Sequence, residues 1–360
     1  FRQPETARAI RRTPLHEHLS KANACFGEAG GWERPNWFAP EGVIPEYDHT
    51  YGKPVWLIYS GNEHRAVRDN VGLLDISTFS KFLLQGRDAE RIINYVSTNN
   101  MAVAPGRIVY TQWLNEQGGI SADLTVTRLA KDAYLVMTAF SSHTRDYNWL
   151  QRHIPSDAHA VLTDVTPSYA GINVQGPNSR VLLQQVSPDN FSNSAFPFGT
   201  SKEIQLGYAT IRASRISYVG ELGWELLIPS DMAAHVYETL VEAGQDLELT
   251  NVGMHAMNSL RIEKAYRHWG HDIADEDTPI EAGLEFAVRF DKPGGFIGRE
   301  ALLKQKESGL VAKRMVQFLM EDPEVMLYHN EPIIRDGTIC GYITSGMYGH
   351  TLGGSVGMGY

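Results

Sequence analysis

A glycine-rich turn about a third of the way along the chain is the feature that most constrains its fold. Residues 115–119 read Asn-Glu-Gln-Gly-Gly, a composition typical of a tight turn. The apolar segment at residues 107–114 precedes the turn, and apolar and polar side chains alternate over residues 120–128 after it. Because a period of two is that of a β-strand, the two segments predict a β-hairpin.

Other strand and helix patterns are distributed along the chain. Segments with a strand pattern are residues 81–85, 133–139, 159–166, 170–175, 203–218, 222–228 and most of the chain after residue 314. Segments with a helical pattern are residues 62–71, 88–96, 142–152, 231–245 and 254–268, with Ser142 as the capping residue of the third. We find no internal repeat of fixed period. The mixture predicts an α+β fold rather than regular winding of parallel strands and helices.

The first sixty residues differ from the rest of the chain. They are rich in proline and in aromatic residues, and they contain few helix or strand signals. Such a segment is too aromatic for a disordered linker. We therefore expect it to pack on the core as an irregular extension.

The composition excludes several classes of function. The formal charge is −10, from 32 basic and 42 acidic residues, whereas non-specific binding to nucleic acid or to anionic membranes needs a basic surface. No apolar run approaches the roughly 18 residues of a membrane span. No glycine-rich phosphate loop follows a predicted strand, so we expect no dinucleotide site in this chain. Cys25 and Cys340 cannot form a disulfide framework, which fits a reducing compartment.

Asp123 is the most unusual residue of the predicted hairpin. Alternation places it on the polar face of the second strand, together with Ser121, Thr125 and Thr127. Aspartate is disfavoured in strands, so its presence needs a reason. Two interpretations stay open: a solvated outer face, or a polar cavity in which Asp123 stabilises a cation.

A second candidate site surrounds the turn Gly220-Glu-Leu-Gly223. Tyr218 precedes this turn and Glu225 follows it. A strand carboxylate beside aromatic residues suits a heterocycle with a fused amide and amino edge, because two parallel N–H donors match the two carboxylate oxygens. The alternative is a plain surface hairpin whose aromatic residues belong to the core.

Arg261, in a predicted helix, is a third candidate. An arginine at this position is able to hold a ligand carboxylate, although a structural ion pair is the commoner explanation. The acidic segment at residues 272–277 is expected to be a solvated loop.

Two pairs of histidines have spacings that suit metal ligands. They are His16 with His18 and His268 with His271. No carboxylate or cysteine completes a recognisable ligand pattern around either pair, so we predict no metal site.

Several sequence blocks, in the right order, make the chain similar to the glycine-cleavage aminomethyltransferase (T-protein) family. The blocks cover about residues 62–305. They are Gly118-Gly-Ile-Ser-Ala-Asp-Leu-Thr-Val126, Val174-Gln-Gly-Pro177, Tyr218-Val-Gly-Glu-Leu-Gly-Trp-Glu225, Ser259-Leu-Arg-Ile-Glu263 and Phe296-Ile-Gly-Arg-Glu300. The segment Gly31-Trp-Glu-Arg-Pro-Asn-Trp-Phe38 resembles, more narrowly, the folate-binding C-terminal half of dimethylglycine and sarcosine dehydrogenases or oxidases.

The resemblance implies an aminomethyltransferase folate-binding fold of the α+β class. Three subdomains would surround a central cavity, followed by a small C-terminal β-barrel that is incomplete in this chain. On this basis residues 1–61 are an N-terminal segment packed on the core, residues 62–305 the folate-binding domain, and residues 306–360 the truncated barrel. The resemblance also implies an FAD-dependent oxidase domain in front of this chain, which would account for a start at Phe1 rather than at Met.

The resemblance further implies roles for individual residues. Asp123 matches the catalytic carboxylate, which would orient and activate tetrahydrofolate and stabilise a cationic iminium during one-carbon transfer. Tyr218 and Glu225 match residues that hold the pterin ring. Phe79 and Val136 match apolar positions around the folate. We add Arg261 as a further candidate for cofactor binding.

The implied reaction is the trapping of an iminium or formaldehyde equivalent as 5,10-methylenetetrahydrofolate. The donor would come from N-demethylation of a methylated amine of the dimethylglycine or sarcosine type. The implied compartment is the cytoplasm of a bacterium or the mitochondrial matrix of a eukaryote, with neither nucleic acid nor a membrane as partner.

One departure from the family and two alternatives accompany this reading. Met257 stands where T-proteins carry an active-site arginine, which argues against turnover of a lipoyl-bound aminomethyl group. The first alternative is a stand-alone aminomethyltransferase or folate-dependent demethylase. The second is a non-catalytic interaction module, as in the regulatory subunit of pyruvate dehydrogenase phosphatase.

Overall fold

Short helices and strands follow one another in the computed structural model, which describes residues 3–48, 50–309 and 311–360. The helices are α1 (His16–Lys21), α2 (Trp56–Asp69), α3 (Ala89–Val96), α4 (His143–Arg152), α5 (Ser179–Val186), α6 (Ala233–Ala243), α7 (Met254–Glu263) and α8 (Arg299–Ser308). Among the described helices, none combines the length and the apolar character needed to cross a bilayer.

The strands fall into an N-terminal hairpin, two larger sheets and a C-terminal sheet. They are β1 (Ala24–Ala29), β2 (Trp32–Phe38), β3 (Gly72–Asp75), β4 (Ser80–Gln85), β5 (Ile108–Leu114), β6 (Ile120–Ala130), β7 (Ala133–Thr138), β8 (Val161–Asp164), β9 (Tyr169–Gln175), β10 (Ser201–Leu206), β11 (Ala209–Ser214), β12 (Gly223–Pro229), β13 (Thr250–Asn251), β14 (Val316–Leu319), β15 (Pro332–Arg335), β16 (Thr338–Gly349) and β17 (Gly354–Gly359). The predicted central hairpin is β5 and β6.

The two larger sheets are named here after the carboxylates that they carry. The Asp123 sheet has the strand order β5-β6-β7-β4-β8, with every neighbouring pair antiparallel. The Glu225 sheet has the order β10-β11-β12-β9-β3-β13, in which only the short β13 runs parallel to its neighbour. Because β3 and β4 belong to different sheets, the loop at residues 76–79 crosses from one sheet to the other.

Each sheet buries one face against helices. In the Asp123 sheet, Trp113 and Tyr134 belong to a fully apolar cluster that includes residues of α3 and α4. In the Glu225 sheet, Ile172 and Trp224 pack into a second cluster with residues of α5 and α6. Since side chains alternate along a strand, each sheet also has a face turned away from these clusters. Asp123 and Glu225 lie on those faces.

A strand, a Gln-Gly turn and an eight-residue helix occur in both sheets. Gly86 joins β4 to α3, and Gly176 joins β9 to α5. Their φ angles are +133° and +127°, and a Cβ at either position would collide with a backbone carbonyl, that of His159 or that of Asn70. Both turns therefore require glycine. The unit recurs in structure although the sequence shows no repeat of fixed period.

The first sixty residues contain more regular structure than predicted. They form α1, the antiparallel hairpin β1–β2 and the first turn of α2. Pro35 argues against a strand in the sequence, yet β2 belongs to a two-stranded sheet, where a missing backbone N–H is tolerated. Trp37 is fully buried and stacks on Tyr59 with ring centroids 5.4 Å apart, as expected for a segment packed on the core. The expected domain boundary between residues 61 and 62 falls inside α2.

Three local predictions were wrong. Residues 203–218 form two strands, β10 and β11, separated by a turn at Gly207 with φ +54°. The helix predicted over residues 254–268 ends at Glu263. Ser142 precedes α4, but its hydroxyl donates to Asp146 Oδ2 at 2.6 Å rather than capping the helix.

The C-terminal region is the small barrel-like domain that the resemblance implies. Its strands have the order β14-β17-β16-β15, all antiparallel, and the sheet does not close within the described residues. β16 packs against α7, which joins this domain to the rest of the chain.

Candidate active site

Asp123 lies in β6, on the face that is turned away from the apolar cluster. Gln112, directly opposite in β5, donates from Nε2 to Asp123 Oδ1 over 2.9 Å. Burial raises the pKa of Asp123 to about 6, while Tyr110, Gln112 and the positive charge of Arg267 limit the rise because they stabilise the ionised form. The carboxylate is therefore mostly ionised at pH 7, and its pKa is close enough to neutral pH for it to accept a proton.

The polar face around Asp123 is an interior surface rather than a solvated one. Thr127, which shares this face, is only 6% exposed, and Ser121, at the β-bulge opposite Trp113 and Leu114, is 9% exposed. Asp123 itself is half-buried. Of the two interpretations that the sequence left open, the solvated outer face does not fit this burial.

Glu225 lies in the middle of β12, opposite Ser214 of β11 and Asn173 of β9. Its carboxyl group is half-buried and accepts no hydrogen bond from any residue that the structure describes. Burial raises the pKa of Glu225 to about 7, and the positive charge of Lys81 offsets this only in part. A desolvated carboxyl group without donors has a strong tendency to bind N–H groups.

Three buried amide oxygens near these carboxylates lack hydrogen-bond donors within the described residues. They are Asn173 Oδ1 and Gln175 Oε1 in the Glu225 sheet and Gln112 Oε1 in the Asp123 sheet. Buried acceptors in folded proteins are nearly always paired, so these oxygens need donors from water or from a ligand. The polar faces of both sheets therefore present acceptors to the interior.

Lys81 fixes the loop that joins the two sheets. Its side chain is fully buried, and Nζ donates to the carbonyl oxygens of Ser77 at 3.0 Å and Phe79 at 2.9 Å. Burial lowers its pKa to about 8, against the opposing effects of Asp75 and Glu225. Phe79, a predicted site residue, thus lies beside the cation that interacts with Glu225, and its ring is half-buried.

Tyr218 connects the turn before β12 to the surroundings of Asp123. Its hydroxyl donates to the carbonyl oxygen of Arg267 at 2.7 Å, and its ring stacks on Tyr266 with centroids 5.9 Å apart. Burial raises the pKa of Tyr218, and the charge of Asp123 adds to the rise. Because the hydroxyl already has an acceptor, the ring is the part of Tyr218 that remains for a ligand.

Val136 does not lie at this site. It is fully buried and pairs directly with Val126 and Phe82, so its side chain belongs to the apolar cluster behind the Asp123 sheet. Its neighbours Leu135 and Met137 alternate to the face that carries Asp123. The candidate position is thus displaced by one residue, which in a strand means the opposite face.

Arg261 does not face a ligand either. Its guanidinium is 2% exposed and pairs with Asp272 at 2.6 Å, with further bonds to Asn258 Oδ1 and Ser345 Oγ. Asp272 is fully buried and also accepts from Thr344 in β16, so the expectation of a solvated acidic loop was wrong at this residue. The pair is the structural alternative that the sequence left open, and it joins α7 to the C-terminal domain.

The two histidine pairs make contacts that do not resemble a metal site. His18 Nε2 lies 2.8 Å from Glu238 Oε1, while His268 and His271 contact each other ring to ring with centroids 4.6 Å apart. Within the described ranges, no three His, Cys, Asp or Glu side chains are grouped so as to hold a metal ion.

Sequence reasoning missed six residues near the two carboxylates, namely Tyr110, Gln112, Lys81, Arg267, Asn173 and Gln175. Lys81 had a signal, because it directly precedes the buried Phe82 in a predicted strand and must face the other side. The positions of Gln112 and Tyr110 depend on the hairpin register, which a bulge between Trp113 and Leu114 shifts. Arg267 follows α7 in a loop and has no local signal.

Family models and curated relatives match nearly the whole chain. Residues 15–292 match the family model of the GCVT N-terminal domain, and residues 313–360 match the glycine cleavage T-protein C-terminal barrel domain. The chain is 44% identical to a 4-methylaminobutanoate oxidase (formaldehyde-forming) of Paenarthrobacter nicotinovorans, over 99% of this chain but only 43% of the oxidase. It is 37% identical to an aminomethyltransferase of Halothermothrix orenii, over 98% of this chain and 91% of that protein.

A solved structure has the same architecture throughout. The crystal structure of glycine cleavage system aminomethyltransferase T from Bartonella henselae superimposes with a TM-score of 0.83 at 25% identity, covering 98% of this chain and 90% of the other. Since the family model spans more than half of the chain, the chain belongs to the glycine cleavage T-protein (aminomethyltransferase) family.

Proposed function

We propose that the chain is a tetrahydrofolate-dependent transferase that takes up the one-carbon unit released by N-demethylation of a methylated amine. One observation carries the proposal: in the Glu225 sheet, the Glu225 carboxyl group stands beside two buried amide oxygens, on Asn173 and Gln175, that lack donors within the described residues. The family is folate-binding, and these acceptors fit the ligand that it implies.

The residues present fit the pterin ring of tetrahydrofolate. One edge of that ring carries amide and amino N–H groups in parallel, which match the two oxygens of the Glu225 carboxylate. Asn173 Oδ1 lies next to Glu225 across the strand ladder and would accept a further N–H. The rings of Phe79 and Tyr218 would cover the apolar faces of the heterocycle.

Asp123 would act at the reacting end. When bound, tetrahydrofolate supplies two N–H groups that take up the one-carbon unit as a methylene bridge. The Asp123 carboxylate stabilises the positive charge of the donor and accepts a proton, for which its pKa of about 6 is well matched to neutral pH. Gln112 fixes the orientation of the carboxylate through its 2.9 Å hydrogen bond.

The donor would be made by an FAD-dependent amine oxidase, on the same parent chain or as a partner. The support for this is the name of the 44% identical relative, which describes an oxidase acting on a methylated amine. The chain spans less than half of that oxidase. It spans 91% of an aminomethyltransferase, which favours, as a second candidate, a stand-alone enzyme with another donor.

Calorimetric titration of tetrahydrofolate into the purified protein tests the proposal. The wild type is expected to bind, and Glu225→Gln is expected to weaken binding by about 10- to 100-fold, since the amide loses one acceptor and adds a mismatched donor. Glu203→Gln is the matched control, because Glu203 is an exposed carboxylate of the same sheet. A correctly folded wild type that does not bind tetrahydrofolate would contradict the proposal.

A further inference from the structure

Arg34, in β2, is a cation without an acidic partner in the described part of the chain. Its side chain is half-buried, and Nε is shielded from solvent and donates no hydrogen bond. Arg8, which packs on the same hairpin, instead pairs with Glu33 at 2.7 Å. Burial lowers the pKa of Arg34 to about 10, which reflects the unfavourable desolvation of its charge. Such a position is costly unless an anion binds there.

The charge of Glu28 acts on Arg34, but no ion pair joins the two side chains within the described residues. The guanidinium lies over the ring of Phe140, 4.5 Å from its centroid. The Tyr47 hydroxyl and His255 Nε2 lie 3.1 Å apart, and both side chains are close enough to interact with Arg34. Burial and the charge of Arg34 lower the pKa of His255 to about 3, so that this histidine is uncharged at neutral pH.

Arg34 is connected to the surroundings of Asp123 through two neighbours. Its ring partner Phe140 follows β7, which is hydrogen-bonded to the strand of Asp123. The pKa of His268 is lowered chiefly by burial and, to a smaller extent, by neighbouring charges that include Arg34; His268 directly follows Arg267, whose charge acts on Asp123. These neighbours place Arg34 in the part of the molecule that also contains Arg267 and the strand of Asp123.

We infer that Arg34 binds the carboxylate of the one-carbon donor, an inference that rests on the proposed function. The planar guanidinium matches a carboxylate through two parallel N–H bonds. The donor would then be the intact N-methylene derivative of an amino acid, with its carboxylate at Arg34 and its iminium carbon toward Asp123. Free formaldehyde has no charge that Arg34 is able to bind.

The transfer balances without an oxidant or reductant. The donor carbon forms bonds to two folate nitrogens while both of its bonds to the amine nitrogen break. The two protons displaced from the folate nitrogens pass to the amine, which leaves as an ammonium group with its carboxylate still attached. The glutamate of folate is the other available carboxylate, but it lies at the end of the molecule remote from the reacting nitrogens.

Binding of the product amines tests this inference without an activity assay. In the presence of saturating tetrahydrofolate, the wild type should bind 4-aminobutanoate or glycine more tightly than n-butylamine or methylamine, which lack the carboxylate. Arg34→Gln should lose this preference, with binding about 10- to 100-fold weaker, and Arg34→Lys should retain part of it. Arg11→Gln is the control, since exposed Arg11 covers Trp32 of the same hairpin.

The outcomes separate this inference from the function on which it rests. An unchanged carboxylate preference in Arg34→Gln, or none in the wild type, would overturn it while tetrahydrofolate binding remained intact. A loss of tetrahydrofolate affinity in Arg34→Gln, with amine binding unaffected, would assign Arg34 to the folate glutamate and also overturn it. No tetrahydrofolate binding by any variant would refute the proposed function instead. Thermal unfolding of each variant confirms that it is folded.

Discussion

Asp123 and Glu225 occupy comparable positions in two different sheets, yet they differ in their hydrogen-bond partners. Both are half-buried carboxylates on the face turned away from the helices, and burial raises the pKa of both. Asp123 accepts a hydrogen bond from Gln112 and interacts with Tyr110 and Arg267. Among the residues that the structure describes, only the charge of Lys81 acts on Glu225. A carboxylate that is hydrogen-bonded within the protein is oriented before a ligand binds. A carboxylate without internal donors is able to take its donors from a ligand.

Arg261 and Asp272 complete the comparison as the opposite extreme. Both are almost fully buried, and each is saturated by partners within the chain, including residues of the C-terminal sheet. Charged groups satisfied in this way serve the fold. The number of internal partners thus decreases from Arg261 through Asp123 to Glu225. Arg261 has a structural role, Asp123 has the proposed chemical role, and Glu225 has the proposed role in ligand binding.

Asp123→Asn gives the largest expected effect. Loss of the carboxylate should lower the rate of 5,10-methylenetetrahydrofolate formation, above the uncatalysed condensation, by about 10²- to 10⁴-fold. Tetrahydrofolate affinity should stay close to that of the wild type, because the proposed ring contacts lie in the other sheet. Asp132→Asn, at an exposed turn next to β6, is the control. An equal loss of affinity and rate would erase the distinction between the two carboxylates.

Arg261→Met should act on stability rather than on ligand binding. Removing one partner of a buried ion pair leaves Asp272 uncompensated, and the free energy of unfolding should fall by about 3–5 kcal/mol. Denaturant unfolding measures this value. Arg335→Met, at an exposed arginine of the C-terminal sheet, should leave it unchanged. Unaltered stability together with lost folate affinity would place Arg261 with Glu225 instead.

Asn173→Leu tests whether the Asn173 side-chain oxygen is an acceptor for the ligand or only an unfavourable feature of the fold. The substitution removes a buried oxygen that has no donor in the described chain, so the free energy of unfolding should hold or rise. Tetrahydrofolate affinity should nevertheless fall by about tenfold, because one acceptor for the ring is lost. Thr210→Val, at an exposed position in β11, serves as a control. Unchanged affinity in Asn173→Leu would show that the oxygen does not face the ligand.

The local pattern of the sequence correctly predicted several strands of the Asp123 sheet. The alternation after residue 119 gave the strand of Asp123 and its polar face, and the strands predicted at residues 81–85 and 133–139 were confirmed to within one residue at either end. Periodicity alone does not fix which face of an apolar strand meets the core. The resemblance matched Val136 to a position around the folate, whereas the structure buries it in the apolar cluster and Met137 occupies the face of Asp123.

The parts that sequence reasoning missed depend on contacts between distant segments. Asp272 is buried because it contacts Arg261 in α7 and Thr344 in β16. No local sequence pattern predicts these contacts between distant segments. The strand around Pro35 is allowed only because its sheet has two strands. Likewise, the absence of donors around Glu225 within the described ranges is a property of three adjacent strands and not of its own segment.

The central claim is that Glu225 takes its hydrogen-bond donors from folate. Its pKa of about 7 in the free protein should fall on binding, because N–H donors stabilise the carboxylate. Protons are then released on binding, so affinity is full above pH 7 and decreases by about tenfold per unit as the pH falls below it.

The most direct measurement is calorimetry of tetrahydrofolate binding near pH 7 in buffers of different ionisation enthalpy. We expect net proton release by the wild type and none by Glu225→Gln, with Glu203→Gln behaving as the wild type. Equal proton release from all three proteins, or proton uptake by the wild type, would contradict the account.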